Sequence, residues 1–237
     1  MRTTARLTAL AEMLPNVDAI ADVGSDHGLL CAYMLTIGKC KKAIAVDIST
    51  SAVEKASLLA RSLGIEDSLI PRLGDGLLSI SPGEVGAAAI AGMGGRLIVS
   101  IINSSPKVSQ RIPLVLQPMQ QIGELRRFLK ANGFAVTEER MVKENGRIFE
   151  MMTVEQGQYK QAADIPKELE DEIGSFLWER GDPLLCESLR RSAKAFKRAA
   201  SEARAPDEIV RGLEEKSEAY FSAAVVAEAK GRHHVHN

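Results

Sequence analysis

The segment Ala19-Ile20-Ala21-Asp22-Val23-Gly24-Ser25-Asp26-His27-Gly28-Leu29-Leu30 constrains the fold more than any other part of the chain. A short apolar run reads as a buried strand. It ends in an acid, passes through a glycine-containing turn and enters an apolar stretch that reads as a helix. Strand, turn and helix in that order open a nucleotide-binding α/β sheet. The spacing is Asp-x-Gly-x-Asp-x-Gly rather than Gly-x-Gly-x-x-Gly. A dinucleotide would rest its pyrophosphate on the turn and the helix N-terminus, where the carboxylate of Asp26 would repel it. The turn suits a ligand with an ammonium group and no phosphate. Asp22 and Asp26 are equally compatible with simple turn capping.

Downstream, the pattern repeats as strand and helix. Arg2 to Leu14 reads as a helix with Leu7, Leu10 and Leu14 on one face and Arg2 and Arg6 on another. Strands are predicted at Lys42–Val46, Ser68–Leu73, Ala87–Ala91 and Leu114–Leu116. Between them lie helices over 49–62, 95–103 and 121–132, the first opened by Ser49 and closed by Gly64. Phe134–Val142 and Arg147–Val154 flank Glu144-Asn145-Gly146, a strong hairpin signal. Alternating strands and helices imply a parallel α/β sheet with right-handed crossovers. The closing hairpin adds an antiparallel strand, giving a seven-stranded, Rossmann-like sheet with its last strand reversed.

Acids stand at the carboxyl ends of these strands, where such sheets bind ligands. Asp22 and Asp26 flank the first turn, Asp47 ends the second strand and Asp75 follows the third. S-adenosyl-L-methionine (AdoMet) matches this set: an ammonium for the first turn, ribose hydroxyls for Asp47 and an adenine amino group for Asp75. Gly92-Met93-Gly94-Gly95 after the fourth strand offers backbone groups and room for a flat base, or merely a tight turn. Gln117-Pro118 ends the fifth strand and offers an amide to a purine edge. His27 is a candidate general base or an orienting residue.

From about residue 158 the texture changes to helix. Apolar stripes run through Leu169, Ile173, Phe176 and Leu177, through Leu185, Leu189 and Phe196, and through Ile209, Leu213, Tyr220 and Ala224. A coiled-coil-like pair or triple over 158–237 is the expectation, beside a cofactor-binding domain over 1–157. Arg190, Arg191, Lys194, Lys197 and Arg198 crowd one stretch with no acid among them, either a solvated face or a phosphate-tracking ridge. With 237 residues and a net charge of −1, any nucleic-acid surface must be local. Three scattered cysteines fit a reducing cytosol. No metal-ligand spacing, leader peptide or membrane-length apolar run is legible, and the tail at 233–236 reads as a solvated end.

The motifs Asp22-Val23-Gly24-Ser25-Asp26-His27, Gly74-Asp75-Gly76-Leu77, Ile90-Ala91-Gly92-Met93-Gly94-Gly95 and Leu116-Gln117-Pro118 together resemble the bacterial tRNA (adenine-22-N1)-methyltransferase family. The resemblance implies a class I methyltransferase domain joined to a C-terminal coiled-coil domain. It implies AdoMet as cofactor and in-line transfer of its methyl to N1 of adenine 22 in the D-loop region of tRNA. Asp22, Gly24, Ser25, Asp26, His27 and Gly28 would hold the methionine end, with Asp26 and His27 the catalytic candidates. Asp47 and Ile48 would hold the ribose side, Gly74, Asp75 and Gly76 the adenine, and Gly92 and Met93 the wall between. Arg6, Gly94, Gly95, Gln117 and Pro118 would meet the target base, and Arg190, Arg191, Lys194 and Arg198 the tRNA. Met119 stands where the family pattern has asparagine. A cytoplasmic monomer without membrane or obligatory protein partner is expected. The remaining alternatives are a methyltransferase of this fold with another acceptor, or a binding module that transfers nothing.

Overall fold

Side-chain alternation along buried strands decides which residues share a face, and here it divides the core in two. In the computed structural model, which describes residues 3–234, Ile20, Ala43, Ala45, Ala87, Ala89, Val115 and Met151 pack on one face of the sheet. Their neighbours Ala21, Ile44, Val46, Ala88, Ile90, Leu114, Leu116 and Met152 pack on the other. Both faces are covered, which is why the strands read as continuous apolar runs.

The elements are helix α1 (Ala5–Met13), strand β1 (Ala19–Val23), α2 (Leu29–Thr36), β2 (Lys42–Asp47), α3 (Thr50–Leu63) and β3 (Leu69–Leu73). They continue with β4 (Ala87–Gly94), α4 (Gly95–Ser104), α5 (Pro106–Ser109), β5 (Leu114–Gln120), α6 (Ile122–Ala131), β6 (Phe134–Glu144) and β7 (Arg147–Gln156). The sheet order is β3-β2-β1-β4-β5-β7-β6. β1 to β5 are parallel, and β7 runs antiparallel to both β5 and β6. This is the Rossmann-like methyltransferase architecture with its reversed last strand. Local chemistry sets the boundaries. The Ser49 hydroxyl accepts the Ala52 amide at the start of α3, and Gly64 closes that helix in a left-handed conformation. Asn145 and Gly146 both take positive φ, 48° and 76°, as a two-residue hairpin turn requires.

Two expectations need correction. Gly92 to Gly95 is not a loop after a strand ending at Ala91. β4 continues to Gly94, and β5 continues past Leu116 to Gln120. The pairing slips between Ala91 and Gly94, so the strand bulges there, with Gly92 at φ 76°. A bulge bends a strand and re-aims its side chains. The glycines therefore serve a distorted strand end and not a free loop.

The chain divides into two compact units between Tyr159 and Lys160. The second contains α7 (Ser175–Glu179), α8 (Pro183–Glu202) and α9 (Asp207–His234). The short connection over 203–206 folds α8 and α9 back on each other as a helical hairpin. The first predicted stripe is broken: Leu169 lies in a 3-10 turn, Leu177 in the short α7, and Phe176 is 40% exposed. Along α9, Ile209 is exposed, whereas Ala223, Ala224 and Ala227 are buried, so small residues make the close helix contact. Fully buried Trp178 donates its ring N–H to Asp164 at 3.0 Å. Among the described residues no helix is long and apolar enough to cross a membrane. Arg2 and the side chains at 233–236 lie outside the described residues.

Candidate active site

Strand alternation puts Asp22 on the face of Ile20, the side on which α1 and α2 pack. The same alternation places Ala91 with Ala89, Gln117 with Val115 and Phe149 with Met151. Four adjacent strands thus present these residues together at the carboxyl end of the sheet. The pocket that Asp22 and Ala91 border has a volume of about 310 Å³ and is also lined by Arg6, Leu10, Ser25, His27 and Gly92.

Asp22 is only 6% exposed, and the Ser25 hydroxyl donates to it at 2.7 Å. Burial pushes its carboxyl up to about 6, opposed by the Ser25 hydrogen bond and by Arg6, and assisted by the charge of Asp47. At neutral pH this buried carboxyl is mostly ionised, and its charge favours a cation.

The turn itself is not a phosphate cradle. The amides of Gly24 and Ser25 both donate to the Val46 carbonyl, at 2.8 and 3.1 Å, and that of Gly28 to Ser25 at 3.0 Å. The amide of Asp26 donates to Asp47 at 3.1 Å. These four amides are therefore not offered to a ligand. Gly24 has φ +73°, and a Cβ there would lie 2.0 Å from the Met93 methyl; Met93 closes directly over the turn.

Asp26 departs from expectation. Its backbone is left-handed, φ 50°, and its carboxylate is exposed, 3.1 Å from His27 Nε2 and 3.6 Å from Lys55 Nζ. It borders the pocket already paired with two cationic or potentially cationic groups, whereas Asp22 is the buried acid. Asp47 holds the rim together, since its second oxygen accepts the Ser49 amide at 2.9 Å. Its carbonyl accepts the Gly74 amide at 2.9 Å. Ile48 beside it is 76% exposed. Asp75 is exposed and opens the 3-10 turn Gly76–Ser79 with no side-chain cap bond. These residues form an open shelf along β2 and β3 and do not line the enclosed pocket.

Gln117 does not offer its amide to the pocket. It is fully buried, accepting from Arg6 Nη1 at 3.2 Å and donating to the Pro118 carbonyl at 3.0 Å. Met119 Sδ lies 3.4 Å from the same amide nitrogen and the residue is partly exposed. Gly94 and Gly95 abut Gln120 and Gln121; a Cβ on Gly95 would meet the Gln121 carbonyl at 2.3 Å. Sequence reasoning missed Phe149, Glu144, Lys55 and Gln121, because each reaches the site across the fold and carries no local motif.

The basic stretch of the second unit is not free of acids. Arg190 pairs with Glu228 on α9, Arg191 with Glu187 and Arg198 with Glu202. One-turn spacing and the neighbouring helix bring in carboxylates that adjacency in sequence does not show. Lys194 and Lys197 line a groove of about 570 Å³ with Phe221 between α8 and α9.

Residues 3–152 match the family model described as a methyltransferase domain. The chain is 33% identical over 165 residues to the tRNA (adenine(22)-N(1))-methyltransferase of Bacillus subtilis, covering 69% of each. The chain belongs to the tRNA (adenine(22)-N(1))-methyltransferase family. A crystal structure of the B. subtilis m1A22 tRNA methyltransferase superposes with a TM-score of 0.81 at 26% identity, over 96% of this chain and 99% of that one. A Streptococcus pneumoniae protein in complex with S-adenosyl-L-methionine superposes with a TM-score of 0.82 at 26% identity, over 93% and 100%. Both superpositions extend past β7 into the helical unit, so the family likeness is not confined to the sheet.

Proposed function

We propose that this protein transfers a methyl group from AdoMet to N1 of adenine 22 in bacterial tRNA. The observation that carries the reading is the buried Asp22 carboxyl beside a turn in which the amides of Gly24, Ser25, Asp26 and Gly28 are already bonded. A buried carboxylate accepts from an ammonium and repels a phosphate, so the residues present fit AdoMet. Asp22 and Ser25 would hold its amino group, Asp47 its ribose hydroxyls through lone pairs the backbone leaves open, and Ile48 and Asp75 its adenine. The cofactor supplies a methyl already activated on a sulfonium, so the protein's work is alignment and exclusion of water.

The target nitrogen lies on the pairing edge of adenine, and the base must leave its stack to reach the pocket. The bulged β4 end at Gly92–Gly94 and the β5 end at Pro118–Gln120 supply a flat wall for it. Methylation at N1 makes the ring cationic and acidifies its amino group. The exposed Asp26–His27 pair at the pocket edge stands where it can accept that proton. Lys194, with the paired arginines 190, 191 and 198, supplies a local basic surface for phosphate contact. On this reading the protein acts in the cytoplasm as a monomer, with no membrane or obligatory protein partner.

The test is transfer of labelled methyl from AdoMet to unmodified tRNA, followed by nucleoside analysis. Label in 1-methyladenosine, lost when position 22 is changed, supports the proposal. Label in another nucleoside overturns the site, and tight AdoMet binding without transfer overturns the acceptor.

A further inference from the structure

Gln117 uses its carboxamide inside the protein, on Arg6 and the Pro118 carbonyl, so it does not read a base at the β5 end. Two further carboxamides stand there. Gln120 is the last residue of β5 and pairs in register with Gly94, and Gln121 follows as the N-cap of α6. Both are exposed, Gln121 caps its helix without a side-chain bond, and among the described residues neither carboxamide bonds to a protein group. They converge on one point: a Cβ on Gly94 would lie 3.3 Å from Gln121 Oε1 and 3.4 Å from Gln120 Nε2. One amide thus offers an acceptor and the other a donor beside the bare Gly94 backbone. The backbone holds them there. Gln121 has φ 60°, and its carbonyl is wedged against Gly95. The other described non-glycine residues with positive φ are Asp26 and Asn145, types that tolerate the left-handed region. Glutamine does not share that tolerance, so strain is held where the two carboxamides converge.

Gly92 lines the cofactor pocket, and Gly94 lies two residues along β4, no more than about 7 Å further at the rise of an extended chain. A purine laid against Gly92 with N1 toward the pocket therefore brings its next edge to the two amides. N1 must keep its lone pair for the methyl, so recognition falls to the neighbouring N6/N7 edge. That edge carries one donor and one acceptor in adenine, and two acceptors in guanine. We propose that Gln120 and Gln121 select the target base as adenine, Gln121 Oε1 accepting from the N6 amino group and Gln120 Nε2 donating to N7. This rests on methyl transfer to N1 of a tRNA adenine. The two bonds do different work. As the N1 lone pair takes the methyl and the C–S pair returns to sulfur, the ring becomes cationic. The amino group becomes a stronger donor, and its bond to Gln121 strengthens. N7 becomes a weaker acceptor at the same time, so Gln120 contributes to binding and not to the rate of transfer.

The experiment measures methyl transfer to tRNA carrying adenosine or 7-deazaadenosine at position 22, the latter lacking the N7 acceptor. Single-turnover kinetics give the transfer rate and the affinity for each tRNA. Wild type, Gln120→Ala, Gln121→Gly and Gln121→Glu are compared, with thermal melts to confirm folding. Ratios between the two substrates are compared across enzymes, which cancels their intrinsic difference in reactivity. The wild type should bind the 7-deaza tRNA about tenfold more weakly, the scale of one hydrogen bond, and Gln120→Ala should remove that factor. Gln121→Gly relieves the left-handed strain, so it should melt near the wild type while the transfer rate falls about tenfold. Gln121→Glu keeps an acceptor oxygen and should retain most of the rate. An unchanged 7-deaza factor in Gln120→Ala overturns the N7 bond. A wild-type rate in Gln121→Gly, or equal losses in Gln121→Gly and Gln121→Glu, overturns the N6 bond. A wild type that leaves adenosine 22 unmethylated refutes the methyl-transfer reading instead.

Discussion

Replacing Asp22 with asparagine should stabilise the ligand-free protein at neutral pH while weakening cofactor binding. Burial raises the Asp22 carboxyl from 3.8 to about 6, so the native state holds a proton that the unfolded chain releases between those values. Stability is therefore highest below about pH 4 on this account and falls as pH rises through 6. The full cost at pH 7 to 8 is about 3 kcal/mol, from the gap between the two values. At pH 4.5 about 1 kcal/mol of it is already present, so about 2 kcal/mol develops between pH 4.5 and 7.5. Asparagine cannot ionise, yet its carbonyl can still accept from the Ser25 hydroxyl, which donates to Asp22 at 2.7 Å. The assay is urea denaturation of the wild type and Asp22→Asn at both pH values without ligand. The stability difference, variant minus wild type, should be about 2 kcal/mol more favourable to the variant at pH 7.5. A difference that is the same at both pH values would refute the reasoning, since it would mean that Asp22 is not held in an unfavourable charged state. The trade is the common one between a site's readiness and the stability of the fold.

Gly24→Ala should weaken cofactor binding and melt earlier by calorimetry, because a φ of +73° strains any residue with a Cβ and the Met93 methyl, 2.0 Å from that Cβ, must also swing aside; strain there costs about 1–3 kcal/mol. Arg126→Ala should cost about 3–5 kcal/mol in denaturant titration, since Arg126 is 1% exposed and pairs with Glu139 and Glu150 inside the β6–β7 face. Lys39 donates to the carbonyls of Ala11, Glu12 and Leu14, and Lys39→Ala should lower stability by about 1–2 kcal/mol through loss of a charge at the α1 C-terminus. Its amide-exchange signature should be faster opening of α1 with protection of α2 retained. Lys194→Glu should raise the KM for tRNA and reduce its salt dependence while leaving AdoMet affinity unchanged; equal KM values at low salt would remove that residue from the RNA surface.

Much of the sheet was legible because its signals are local. The strand-acid-turn-helix at 19–30, the Ser49 and Gly64 caps and the Asn145-Gly146 turn each depend on neighbours a few residues apart. Strand alternation then settled which buried residues share a face. The ends of β4 and β5 were not legible, because Gly92–Gly94 pairs with Pro118–Gln120 only through a bulge whose register is fixed across strands. Gln117 illustrates the same limit. Its position at a strand end suggested a ligand contact, whereas burial beneath Arg6 depends on where α1 docks.

By itself, the sequence determined the fold class and the order of the strands' chemistry, since these follow from residue type and short spacing. The tertiary structure alone decided which acid is buried and which is paired. It set Asp22 under α1 and left Asp26 to His27 and Lys55. It also brought Glu144 to Arg6 across 138 residues, and gave the arginines of α8 their acid partners. Burial and long-range pairing are properties of packing. They arise only when distant segments close on each other, and no local pattern carries them.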